Sequence, residues 1–165
     1  MRGLSKLLLL LAIVTLIPAC ATTPQFDTSQ VDKSLTPAAV SAAKDAAQGR
    51  KVQWGGVIIA SDNLPQVTRL EVLAYPLSGR GRPDRDGKVL GRFLLEHPGY
   101  LETADYAPGR MVTVIGPISR VEEGVIGEAS YRYPVVRAEQ LHLWPKHREE
   151  NDPRIHFGIG IGLGL

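Results

Sequence analysis

Four textures of apolar and polar residues succeed one another along the chain. Leu7 to Ile17 is apolar without a break except at Thr15, and from Ala21 to Leu35 apolar residues are scattered among Thr, Gln, Ser and Asp. Ala38 to Gln48 is alanine-rich, with a thin apolar face of Ala39, Val40, Ala43 and Ala47. From Lys51 onward apolar positions recur every second residue in short runs, the period of a strand with one buried face. No stretch carries a long amphipathic helical stripe. With 17 Gly and 12 Pro in 165 residues, the composition also favours short strands and tight turns over a helical bundle.

The runs resolve into five or six strands. Val52 to Ala60, with Trp54 and Val57-Ile58-Ile59, predicts the first, and Gly55-Gly56 inside it predicts a bulge or sharp bend. Val67 to Leu77 predicts the second, with Leu70, Val72 and Ala74 on one face and Arg69, Glu71 and Leu73 on the other. Ser78 to Lys88 is a loop, Val89 to Leu95 a shorter third strand, and His97 to Pro108 a connector with room for one helical turn. Arg110 to Arg120 has the clearest alternation, Val112, Val114, Gly116 and Ile118 opposing Met111, Thr113 and Ile115. Glu122-Glu123-Gly124 predicts a hairpin turn, followed by strands in Val125 to Tyr133 and Val135 to Trp144. Thr36-Pro37 has the cap and first residue of a short N-terminal helix, and Gly49 its stop. Short strands with embedded glycines favour a mainly β fold, a small OB-like Greek-key β-barrel, because closure removes adhesive edges. A β-sandwich is the alternative.

The first texture changes the picture of location. Arg2 and Lys6 precede an apolar run too short to cross a bilayer, the pattern of an export signal. It ends in Leu16-Ile17-Pro18-Ala19-Cys20, a lipobox in which Pro18 replaces the usual Ala, Ser or Thr. A plain secretory signal or a buried N-terminal helix are the competing readings. No A-x-A precedes Cys20, and Cys20 is the only cysteine, so it has no intramolecular disulfide partner. Lipidation of Cys20, by a thioether diacylglycerol and an N-acyl chain, explains the odd thiol and provides a stable anchor. Ala21 stands where enteric-type lipoproteins retained in the inner membrane have Asp, which points to the outer membrane. Residues 1–19 then form the signal peptide, 20–35 a polar tether, 36–145 the β domain with its helix, and 146–165 a charged linker and a Gly-rich tail. In that tail Gly158 to Leu165 alternates Gly with Ile or Leu; it could add a strand, touch the membrane or stay weakly ordered.

Charge adds an exclusion. Removing Arg2 and Lys6 from 19 Lys and Arg leaves 17, against 17 Asp and Glu. The mature chain is neutral, and with export this argues against a nucleic-acid partner. The four histidines His97, His142, His147 and His156 have no zinc spacing, so neither metal nor cofactor is implied. His142 is expected on a strand beside Trp144, with a pH-sensing role as the functional alternative. Asp84-Arg85-Asp86-Gly87 lacks the spacing of a calcium loop and reads as a solvated turn. Arg80, Arg82, Arg85 and Arg92 could meet anionic head groups, although a solvated loop is the simpler reading. Neither Gly-x-Ser-x-Gly nor a free cysteine is present for nucleophilic catalysis, and Glu122-Glu123 fits a soluble turn. Trp54, Tyr75, Tyr133 and Trp144, aromatics near glycines, are the candidate ligand-binding residues at a barrel mouth.

Five stretches resemble, in order and spacing, the Slp family of starvation-inducible outer-membrane lipoproteins of Gram-negative bacteria. They are Trp54-Gly55-Gly56-Val57-Ile58, Glu71 to Leu77, Gly91-Arg92-Phe93-Leu94, Gly109 to Gly116, and Gly127-Glu128 through Tyr133-Pro134-Val135-Val136 to Leu141-His142-Leu143-Trp144. The resemblance covers Val52 to Trp144, not the tether or the tail. It implies a palmitate-bearing, periplasm-facing lipoprotein of the cell envelope, linked to starvation or acid stress and without catalytic chemistry. Its partners would be the membrane, through Cys20, and an unidentified envelope component or protein. A ligand-binding module using a barrel cleft is the second functional reading, and a hydrolase of envelope polymers the third.

Overall fold

The computed structural model describes residues 24–43 and 47–146. A short helix α1 (Pro37–Ala42) is followed by β1 (Lys51–Asn63), β2 (Val67–Ala74), β3 (Arg92–Pro98), β4 (Met111–Ile126), β5 (Ala129–Arg137) and β6 (Gln140–Leu143). The signal region, Cys20 and the Gly-rich tail lie outside the described residues, as do His147 and His156.

β1 makes the fold because it is long enough to serve two neighbours. Its first half pairs antiparallel with β4, from Lys51 opposite Pro117 to Val57 opposite Met111. Its second half pairs antiparallel with β2, from Gly56 opposite Ala74 to Asn63 opposite Thr68. β2 continues antiparallel to β3, β3 lies parallel to β5, and β5 antiparallel to β4. Five strands therefore close into a ring in the order β1-β2-β3-β5-β4, and β6 adds to β4. One sheet closing on itself, in the connectivity of an OB-like barrel, is the expected architecture; two separate sheets of a sandwich are not present among the described residues.

The predicted bend at Gly55-Gly56 is the corner where the pairings of β1 overlap. A Cβ on Gly56 would stand 1.9 Å from the Leu73 carbonyl oxygen, and one on Gly55 2.7 Å from the Val112 carbonyl oxygen. The bulge itself comes slightly later, with the register shift between Ile58 and Ala60. A second shift, between Ile118 and Arg120, bends β4 as it passes from β1 to β5.

The alternation read from sequence gives the inward faces. Leu70, Val72 and Ala74 are buried with Val52, Ile58, Phe93, Leu95, Val112, Val114, Ile118 and Val136, so the ring is filled by aliphatic and aromatic side chains. Thr36 caps α1 by accepting from the Ala39 amide at 3.2 Å, and Val40 seats the helix on the core. The connector does hold one helical turn, with the Tyr106 amide donating to the Glu102 carbonyl.

Some local expectations fail: α1 ends at Ala42 rather than at Gly49, and Val135 to Trp144 is divided between β5 and β6. Val121 to Gly124 is strand, not turn; β4 runs on to Ile126, and the reversal uses Gly127, whose φ is +60°. Glu122 sits in the ladder opposite Tyr133, and Gly124 is required because the Tyr133 ring lies 2.9 Å from where its Cβ would be. An Asp/Glu-Gly pair marks a turn only when no aromatic ring needs the space above the glycine.

Gly56→Ala should cost about 3 kcal/mol or more, as overpacking against a fixed backbone does. Gly79→Ala, where nothing lies within 4 Å of the added Cβ, should stay within about 0.5 kcal/mol of wild type. Thermal or urea unfolding of the two variants gives the comparison, and equal stabilities would refute the closing role of Gly56.

Candidate functional site

Residues 24–35, read from composition as tether, form a strap across the start of β1. The Asp32 amide donates to the Lys51 carbonyl at 2.8 Å, the Asp27 amide to Gln140 Oε1 at 3.3 Å, and the Trp54 indole Nε1 to the Leu35 carbonyl at 2.9 Å. Asp32 pairs with Arg50. Beyond the strap, the Ala38 amide donates to the Leu90 carbonyl at 2.9 Å. The polar residues that suggested a loose linker are turn formers: Asp27 accepts from the Ser29 amide and hydroxyl, and Asp32 from those of Ser34.

Between the strap, β1 and the loop after β2 lies an open cleft of about 640 Å³. Leu35, Trp54, Tyr75, Leu77 and Leu90 give it apolar surface; Lys33 and Arg80 line it as exposed cations. The loop is held in place by Thr113, whose buried hydroxyl donates to the Gly81 carbonyl at 2.7 Å. Phe26 of the strap packs on Gly81, where an added Cβ would be 2.8 Å from its ring.

The four aromatics read from sequence divide. Trp54 and Tyr75 line the cleft together. Trp54 is only 5% exposed and stacks edgewise on Phe93 at 5.3 Å, so most of its indole belongs to the core. Trp144 is buried outside the cleft, its Nε1 donating to Thr113 Oγ1 at 2.9 Å and its ring meeting His142 at 4.5 Å, with the Arg82 guanidinium 5.7 Å above. Tyr133 also lies outside the cleft lining, its hydroxyl bonded to Glu71 Oε1 and the Val125 carbonyl. Nor do the four arginines form one cluster: Arg92 is taken by Glu71 at 2.8 Å. Sequence reading missed Lys33, Leu35 and Phe26 altogether, since they lay in the supposed tether.

The outward side of β2 and β3, the surface that OB-type barrels commonly use for ligands, is occupied by the protein itself. Arg69 of β2 reaches Glu96 of β3 at 2.7 Å and Glu122 of β4 at 2.9 Å. Arg120 reaches the same two acids at 2.8 and 2.9 Å. Tyr131, on β5, accepts from the Arg92 amide at 2.9 Å. These contacts fold the β4–β5 hairpin onto β2 and β3.

The sequence profile of the outer membrane lipoprotein Slp family matches residues 17–159. The chain belongs to this family. Membership makes it an outer-membrane lipoprotein, the location its N-terminus predicts. Among Slp-type relatives, the uncharacterised lipoprotein YeaY of Escherichia coli (strain K12) is 32% identical over 96 residues, 58% of this chain and 49% of that protein. An uncharacterised protein of Haemophilus influenzae (strain Rd) is 33% identical over 96 residues, 58% of this chain and 52% of its own. The chain spans about half the length of these curated relatives. Among solved structures, Schizosaccharomyces pombe Pot1pC bound to single-stranded DNA aligns over 69% of this chain and 87% of its own, with 10% identity and a TM-score of 0.30, too low to bear on the ligand of an Slp-family chain.

The charge network gives this Slp-family domain an acid-sensitive clasp. Hydrogen bonds from Arg120, and then from Arg69, hold the Glu96 carboxyl below its ordinary 4.5, against the opposing effect of burial. Burial also lowers His142 from its ordinary 6.5. Both groups take up protons more readily in the unfolded chain, so the stability they supply is present above those ordinary values and is lost as pH falls through the folded ones. The melting temperature should fall below pH 6.5 through His142 and again below pH 4.5 through Glu96. His142→Phe should flatten the first limb and Glu96→Gln the second; unchanged limbs in melts across the range would refute these assignments.

Proposed function

We propose that this chain is a non-enzymatic module of the outer membrane, anchored by lipid on Cys20 and facing the periplasm, which protects the envelope under stress by holding an envelope component. The strap carries this reading. Three residues separate Cys20 from Pro24, where the chain already lines the cleft, so lipid on Cys20 would keep the domain close to the membrane surface. The family profile begins at residue 17 and takes in the lipobox cysteine. The stress role rests on the resemblance to starvation-inducible members. The non-enzymatic reading is supported by the state of the carboxylates: Glu71, Glu96 and Glu122 each have an oxygen engaged by an arginine.

The second reading, a ligand-binding module, is favoured by one observation. The ring interior is filled, whereas Trp54 and Tyr75 share an open cleft beside it, of a size that small-molecule sites commonly have. The two readings are compatible, the cleft being the place where a component would be held.

Wild-type protein expressed in a Gram-negative host should fractionate with the outer membrane and incorporate labelled palmitate. Cys20→Ser should abolish the label and stop processing at the lipobox. A soluble, unlabelled wild type would reject the anchor.

A further inference from the structure

The cleft combines apolar side chains with cations. Leu35, Leu77 and the exposed edge of Trp54 line it among polar residues such as Gln53 and Ser78. Two cations, Lys33 and Arg80, line it in exposed positions. Neither makes an ion pair among the described residues, although most other arginines of the domain are engaged: Arg50, Arg69, Arg92, Arg120 and Arg132 all face carboxylates. The acid in the lining, Asp32, is taken by Arg50. A cleft that offers apolar side chains beside positive charge with no ion pair among the described residues fits a ligand that is apolar along its length and anionic at one end.

Position narrows the source. Pro24 lines the cleft, and a four-residue span extends at most about 14 Å. If Cys20 bears the lipid, the cleft stands within that reach of the leaflet.

We infer that the cleft binds a single-chain anionic lipid, one acyl chain ending in a carboxylate or phosphate, drawn from the membrane that holds the anchor. The acyl chain lies along Trp54, Leu35 and Leu77, and the head group meets Lys33 and Arg80. This rests on the reading of an anchor at Cys20, but its test does not.

The chain has two tryptophans, so Trp144→Phe leaves Trp54 as the only indole. The full-length Trp144→Phe protein, in phosphatidylcholine nanodiscs, is titrated with 9,10-dibromostearate, whose bromines quench indole emission on contact. Saturable quenching is expected, and the wild type, whose folding is unaltered, should show the partial quenching of one indole in two. Lys33→Glu with Arg80→Glu, both exposed and free of structural bonds among the described residues, should weaken the apparent affinity on the order of tenfold. The uncharged methyl ester should bind correspondingly less well. No saturable quenching in either protein, or equal quenching by acid and ester, overturns the inference. Quenching seen only when acylation is removed by Cys20→Ser also overturns it, assigning the cleft to the protein's own acyl chain. Palmitate labelling of the same preparation separates the two ideas: charge-dependent quenching in an unlabelled protein supports the cleft assignment and refutes the anchor.

Discussion

The fold depends on two backbones, that of β2 at Gly56 and that of β4 at Gly55, passing closer than any side chain permits. β1 meets β4 on one edge and β2 on the other, and the two ladders overlap there, Gly56 standing opposite both Ala74 and Val112. A sheet edge left open at this point would expose β1 or β4 to foreign pairing. Closure removes both edges and puts Trp54, two residues before the corner, with its body in the core and its indole nitrogen toward the strap. The strap therefore docks where the ring closes, and the cleft is a by-product of that docking.

Filling the ring moves any interaction to its outside. A five-stranded ring is narrow enough for Phe93, Ile58, Leu70 and Leu95 to occupy it fully. Of the two outer regions described, the β2–β3 side is committed to internal bonds. Arg69, Glu96, Arg120 and Glu122 neutralise one another, and a ligand there would have to replace several charge-assisted hydrogen bonds. Partial exposure keeps each pair modest in stability, but as a network they set the position of the β4–β5 hairpin. The cleft asks for no such exchange, since its cations have no ion-pair partner among the described residues.

The parts legible in sequence were those with a local physical signature. Period-two alternation marked the inward residues of β2 and β4, and paired glycines marked the corner. His142 was placed beside Trp144 by the strand spacing alone, and their rings do touch. What escaped was non-local or ambiguous. Arg69 and Glu122 lie 53 positions apart, and nothing short-range links them. Glu122-Glu123-Gly124 carries the composition of a turn, yet its glycine answers to Tyr133. Residues 24–35 carry the composition of a linker, yet their Asp and Ser close local turns that leave backbone amides free to bind β1 and β6. Trp54 and Tyr75 were legible as aromatics beside glycine, but without the strap there was no wall to make a cleft of them.

The strap also determines how firmly that wall stands. It is held mainly by isolated hydrogen bonds, at Asp27, Asp32 and the Trp54 indole, and by the Phe26 ring. Segments with few buried apolar contacts open at lower free energy than the core they cover. The ring, closed by continuous ladders, stays rigid while the strap is the part able to yield. A lipid at Cys20 would pull on the strap end nearest the cleft and on no strand directly. Under the proposed anchor, membrane attachment would act on the cleft through the strap, whereas the β4–β5 hairpin is clasped to β2 and β3 by its own ion pairs.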